Sequence, residues 1–177
     1  MATRKAAAKG GSFGKWIRSS AKQRTRIKTT FEPQTVFIIM AFKGRQKAYS
    51  VIKDECQKRR LKAIRADEIT GAGLVIQEIF DSIEQAEFII CDLTRGRPNV
   101  YYELGYAHGV GNYPDNILLI AKAGTERHFD ISPLRFEEYR SLDELRSIIA
   151  SRLKAWVRGS KVPLRNAPHK SRKPTAR

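Results

Sequence analysis

A chain of 177 residues is long enough for one domain with a real core and hardly enough for two. Hydrophobic residues make up 41%, the longest apolar run is far too short to cross a bilayer, and two cysteines, Cys56 and Cys91, make no disulfide framework. The first residues lack the apolar core of a signal peptide, so a reducing, cytoplasmic setting without membrane attachment is expected. The net charge of +16 is carried entirely by the two ends. Residues 1–31 hold nine Lys/Arg and residues 158–177 hold seven, neither with an acid, whereas residues 32–157 carry eighteen bases and eighteen acids. The basicity therefore describes two tails and not the surface of the domain between them.

The N-terminal tail is rich in Ala, Lys, Arg, Gly and Ser and is expected to be disordered, apart from a small apolar cluster of Phe13, Trp16 and Ile17. Its acid-free start also has the composition of an organellar presequence, without a sustained amphipathic helix. From 32 onward, strand and helix patterns alternate. Val36–Phe42 is a continuous apolar run, which reads as a strand buried on both faces. Tyr49, Val51, Ile52 and Cys56 mark a helix, Leu61–Arg65 a short strand ending at Asp67-Glu68, and Leu74 to Ile83 a second helix. Phe88–Cys91 is a third strand, followed by a helix over Asn99–Gly111 with Pro98 before it and glycine at its end. Ile117–Ile120, then Leu134–Tyr139, give two further strands, and Leu142, Leu145, Ile149, Leu153 and Trp156 are spaced for a closing helix. The tail after it, with three prolines among bases, is again expected to be disordered.

Alternating strands and helices predict an α/β domain, a flavodoxin-like doubly wound parallel sheet of about five strands in the order 2-1-3-4-5. Ligands of such sheets bind outside the carboxyl ends of the strands, between the first and third. The segments predicted there are Ala41–Lys47 and Asp92–Asn99, with Asp67 alongside. No glycine-rich dinucleotide fingerprint follows the first strand, there is no P-loop, and His108, His128 and His169 have no metal-ligand spacing to the cysteines. No metal and no resident cofactor are expected. Cys91 lies within an apolar strand and reads as an inert buried thiol.

Two carboxylates stand out. Asp92 ends the third strand, where an acid serves either as a turn former or as a ligand group. Glu103 falls between Val100 and Ala107 on the inward rows of the following helix, where a carboxylate needs a partner or a purpose. With Asn99 as the N-cap, Glu103 is the fourth helical residue, and the helix dipole is expected to keep it ionised. That suits a nucleophile, or a stabiliser of an oxocarbenium-like state, better than a general acid. Phe42 is a candidate to stack on a base, Asp67 to accept from a ribose hydroxyl, and Arg65, Arg95 and Arg97 to hold phosphate. Each also has an ordinary reading as strand-end packing or solvated charge.

The segments Val36–Phe42, Arg65–Glu68, Cys91–Thr94 and above all Pro98-Asn99-Val100-Tyr101-Tyr102-Glu103-Leu104-Gly105-Tyr106-Ala107-His108 resemble the nucleoside 2-deoxyribosyltransferase-like group, related to bacterial TIR-like domains. The resemblance covers roughly residues 35–140. It implies a glutamate acting at the anomeric carbon, here Glu103, a sugar-holding Asp92, and a base pocket from Met40 to Phe42. Met40, Phe42, Asp67, Asp92 and Asn99 are the expected substrate contacts. The implied activity is cleavage of an N-glycosidic bond, by hydrolysis or glycosyl transfer, in a nucleoside, a nucleotide or NAD, with NAD as substrate and not cofactor. Binding a nucleotide as a signalling module, without turnover, is the alternative. Nucleoside-recycling members complete their site with C-terminal residues of a neighbouring subunit; here that end is a basic tail. A homo-oligomer, and non-specific nucleic acid held by the tails, are the further partners expected.

Overall fold

The computed structural model describes residues 31–69, 75–112, 114–126, 128, 131 and 134–160. Residues 1–30 and 161–177, which hold nearly all of both basic tails, and the glycine-rich loop at 71–73 lie outside the described residues, whereas Arg158 and Gly159, expected in the C-terminal tail, are helical. The elements run β1 (Glu32–Met40), α1 (Gln46–Lys58), β2 (Lys62–Arg65), a 3-10 turn (Ala66–Glu68), α2 (Val75–Gln85), β3 (Ala86–Asp92), α3 (Pro98–Gly109), a 3-10 turn (Pro114–Asn116), β4 (Ile117–Lys122), β5 (Glu137–Tyr139) and α4 (Leu142–Gly159). The five strands form one sheet in the order β2-β1-β3-β4-β5, and every pairing is parallel. This is the doubly wound, flavodoxin-like arrangement expected from the alternation of patterns.

Strand side chains alternate between two cores. Val36, Ile38, Met40, Phe88, Ile90, Leu118 and Ile120 pack against α1 and α4. Phe37, Ile39, Ile89, Cys91, Leu93, Ile117 and Leu119 pack against α2 and α3. A parallel sheet must be covered on both faces because its crossover helices lie on both sides. That is why β1 and β3 read as unbroken apolar runs.

The limits of the elements differ from the sequence reading by a few residues. β1 starts at Glu32 and stops at Met40, so Ala41 and Phe42 belong to the loop after it. α3 begins at Pro98 with Arg97, in extended conformation, as its N-cap. Asn99 is therefore not the cap but the second helical residue. Proline fixes φ near the helical value and lacks an N–H that would be orphaned anyway, so it takes the first position. The helix closes at Val110, and Gly111 follows with φ 87°, the left-handed conformation glycine adopts without a Cβ penalty. No described helix is long and apolar enough to cross a membrane.

α4 closes the sheet through Trp156, which stacks on Phe88 with ring centroids 4.6 Å apart and donates from Nε1 to the Asp115 carbonyl at 2.7 Å. Truncation to Trp156→Ala removes both, and the expected cost is about 3–5 kcal/mol. Urea unfolding followed by far-ultraviolet circular dichroism measures it; a loss below about 1 kcal/mol would mean that α4 does not depend on this contact.

Candidate functional site

The carboxyl ends of β1 and β3 lie side by side, with Met40 paired to Asp92. The loops leaving them build the crevice. Asp92 is 2% exposed, and Cys91 and Leu93 on either side of it face α2 and α3. Asp92 therefore faces the other way, toward α1. There Arg45 at the head of α1 donates to Asp92 Oδ2 from Nε at 3.0 Å and also from Nη2. Thr94 donates its backbone N–H to Asp92 Oδ1 at 2.9 Å, as in an Asx turn, and its hydroxyl donates to the same oxygen. Arg45 also donates to the Tyr139 hydroxyl. Burial alone would lower the Arg45 pKa, yet the neighbouring Asp92 carboxylate outweighs it and the value is raised. Both readings of Asp92 thus meet a fact: it is a turn former and a buried ion-pair partner at once.

Glu103 sits in the other layer. Val100, Leu104 and Ala107 of α3 pack into the core beneath α2 and α3, and Glu103, 5% exposed, lies among them. Its neighbours along the helix surface, Tyr102 and Tyr106, face Phe80 of α2, with ring centroids at 5.7 and 3.8 Å. Glu103 therefore occupies the α2 side of the sheet-facing stripe, two turns or less from the carboxyl end of the sheet. Burial pushes its pKa up to about 7, against the lowering effect of a side-chain hydrogen bond from Asn99. The expectation that the helix dipole keeps Glu103 ionised is corrected here. With Arg97 as cap, Glu103 is the sixth helical residue, beyond the first turn where the dipole acts. Apolar surroundings then decide the shift.

Other buried acids show the contrast. Glu55 is held down to about 2: burial opposes this, but Lys58, Arg59 and Arg146 all bond to it. Glu87 accepts from the Gln34 N–H and the Ser160 hydroxyl, both at 2.7 Å. Among the described residues no ion pair reaches Glu103.

The remaining candidates divide. Asn99 stands next to Glu103 and contacts it. Phe42 is 40% exposed and its ring lies 5.4 Å from the Arg65 guanidinium. Asp67 is exposed, but both its oxygens accept from Arg65 at 2.5 Å. Arg65 itself is buried and stacked 3.8 Å from the Tyr49 ring centroid, so it braces the end of β2. Met40 is buried in the layer of α1 and α4, which leaves its backbone, not its side chain, at the crevice. Arg95 folds against Gly44, whose φ of 71° and lack of a Cβ admit its guanidinium. Arg97 is exposed at the head of α3, and His169 lies outside the described residues. Asp92 and Glu103 are not in contact: they face opposite layers of the sheet, with Cys91 between them, its thiol pushed well up by burial and by both carboxylates. Sequence reasoning missed Arg45, Thr94 and Tyr139. An acid at a strand end demands a cation when buried, but nothing in the sequence says which of the many bases supplies it.

A cavity of about 640 Å³ lies on the edge of α3 away from α2, between Tyr101, Leu104, His108, His128, Ile131 and Leu134. Glu103 is not among the residues that line it.

The strand order defines an α/β domain of the flavodoxin-like kind, and its third helix carries a buried carboxyl, Glu103, that no ion pair reaches among the described residues. The structure is similar to that of the CMP N-glycosidase BcmB of Clostridium botulinum, with a TM-score of 0.54 and 14% identity over 69% of this chain and 98% of that one. It is also similar to a mutant flavo di-iron protein of Thermotoga maritima, with a TM-score of 0.54 and 18% identity over 73% of this chain and 37% of that one. A flavoprotein of the same organism gives a TM-score of 0.52 at 16% identity, again over 37% of its length. At these identities the likeness is one of fold. No protein-family model matches the chain, and no curated protein does.

Two measurements follow from the acids. Between pH 4.5 and about 7 the folded protein retains the Glu103 proton that the unfolded chain has already lost, so this group makes stability fall as pH rises through that window. Glu103→Gln, which copies the protonated form, is expected to be neutral near pH 4.5 and to stabilise by roughly 2–3 kcal/mol above pH 7. Chemical denaturation at the two pH values checks this; an equal difference at both would refute the assigned shift. Arg45→Met strands a buried carboxylate and is expected to cost about 3–5 kcal/mol, much of it recovered in Arg45→Met/Asp92→Leu. The same denaturation series reads both variants.

Proposed function

We propose that the protein cleaves the N-glycosidic bond of a nucleotide or nucleoside, with Glu103 as the group that meets the anomeric carbon. The observation that carries this reading is the buried Glu103 carboxyl, without a cation among the described residues and with its pKa pushed up to about 7, in the helix that follows β3. The likeness of fold to a CMP N-glycosidase supports the same reaction class. Departure of the base leaves positive charge on C1′ and the ring oxygen. A carboxylate held in apolar surroundings is poorly solvated in the free protein, and a cation forming beside it relieves that penalty in the transition state more than in the ground state. The bonding pair leaves with the base; water, or an acceptor base, then supplies the new bond to C1′. Asn99, already bonded to Glu103, orients it. Phe42, half exposed at the end of β1, offers a face for the base, and the Asp67 carboxylate, fixed by Arg65, an acceptor for a ribose hydroxyl. Asp92 acts as a positioning residue, because its oxygens already bond to Arg45 and Thr94.

That engagement of Asp92 and Asp67 by arginines also favours a second reading, a module that binds a nucleotide without turning it over. One assay separates them: incubation with nucleosides, nucleotides and NAD, followed by chromatography of the free base. Under the catalytic reading, base is released, kcat/KM rises with pH through about 7 as Glu103 deprotonates, and Glu103→Gln lowers it by roughly 10²–10³-fold. Ligand-dependent thermal stabilisation with no product would establish the binding module instead.

A further inference from the structure

The α2–α3 face is acidic, aromatic and open. Neither helix contains a lysine or arginine. Val75 is 60% exposed, Ile76 44% and Tyr102 60%, although all three are large and apolar or aromatic. Between them Phe80 stacks on Tyr106 at 3.8 Å and tilts against Tyr102, which gives the shallow groove between the two helices an aromatic lining. Asp81 and Glu84 stand exposed on the α2 helix; Glu84 accepts from the Tyr106 hydroxyl, and Asp81 from Gln77. A symmetric pairing of two copies through this face would set these acids against one another, so the groove calls for a basic partner.

The chain itself supplies one. Residues 1–31 hold nine bases and no acid, with Phe13, Trp16 and Ile17 among them. This segment enters the fold at the lower end of the groove: Glu32 at the start of β1 pairs with Ala86, the residue directly after α2. Helix α2, eleven residues long, spans about 16 Å. The fifteen residues from Ile17 to Phe31 reach up to about 50 Å when extended, so Trp16 can lie anywhere along it. We propose that the groove between α2 and α3 is the docking site of the chain's own basic segment around Phe13–Arg18. Its aromatic and aliphatic side chains cover Ile76, Phe80 and Tyr102, and its lysines and arginines face Asp81 and Glu84. The proposal stands on charge, exposed area and the point of entry, and is independent of any catalytic role for Glu103.

Acrylamide quenching of the tryptophans in the full chain tests it. Trp156 is buried against Phe88, and subtracting the signal of Trp16→Ala isolates Trp16. At low salt Trp16 is expected to be several-fold less quenchable than in the denatured chain, with blue-shifted emission that does not change on dilution. High salt, the exposed charge reversal Asp81→Lys/Glu84→Lys, or Tyr102→Ala each frees it, while circular dichroism confirms that these variants remain folded. A Trp16 as quenchable in the native chain as in the denatured one overturns the proposal. So does shielding that is lost on dilution, which would mean another copy's segment. Shielding that appears only when an oligonucleotide is added, and ignores the groove variants, assigns the segment to nucleic acid instead.

Discussion

The carboxyl edge of the sheet depends on Asp92. Its side chain is buried at the end of the central strand, and three different connections converge on it. Arg45 comes from the turn after β1, Thr94 from the loop after β3, and Tyr139 of β5 joins through Arg45 and through the Thr94 hydroxyl at 3.3 Å. The Thr94 hydroxyl also receives the N–H of Lys122 at the end of β4. One carboxylate thus ties the ends of four strands. Loops at this edge carry the ligand contacts of such folds, and loops move unless something fixes them. An ion pair this buried is poor evidence for added stability, since desolvation offsets much of its attraction. Its value is geometric: losing either partner leaves a stranded charge, so alternative loop arrangements are disfavoured.

Glu103 receives the opposite treatment eleven residues later. It lies beyond the first turn of α3, among Val100, Leu104 and Ala107, with an amide as its neighbour and no cation among the described residues. The two acids differ by layer. β3 turns Asp92 toward α1, where a base waits at the helix head, whereas α3 turns Glu103 into the apolar layer on the other side. One is held in a buried ion pair at the edge; the other is buried among apolar side chains, where burial raises its pKa.

Much of this was legible in the sequence. The apolar runs of β1 and β3, the helical spacing of α3 and α4 and the strand order all follow from periodicity, because a sheet covered on both faces leaves so few patterns. Glu103 was legible as an inward acid for the same reason. Its ionisation is not: that depends on the cap, and Asn99 has the better capping side chain, whereas Pro98 at the first helical position makes Arg97 the cap. Nor was the Asp92 partner legible. Arg45 stands 47 positions away, and only the parallel register of β1 and β3 brings the loops together. Asp67 likewise reads as a free hydroxyl acceptor until Arg65, buried between Tyr49 and Phe42, is seen to hold it.

The charge pattern of the crevice bears on what kind of ligand fits the proposed reaction. Bases gather on its outer lip: Arg95 lies against Gly44, and Arg97 stands exposed at the head of α3. Glu103 lies apart from them, buried on the layer of α2 and α3, with no ion pair among the described residues. Under the proposed reaction the ligand would be negative at one end and become positive at the other, as a nucleotide does when its glycosidic bond breaks. A phosphate alone would gain from the lip and nothing from Glu103. A permanent cation would be drawn to the ionised carboxylate and lower its pKa, and so would bind more tightly as pH rises. The proposed reaction therefore requires a positive charge that appears only during bond breaking, which is the condition for binding energy to lower the barrier and not the ground state.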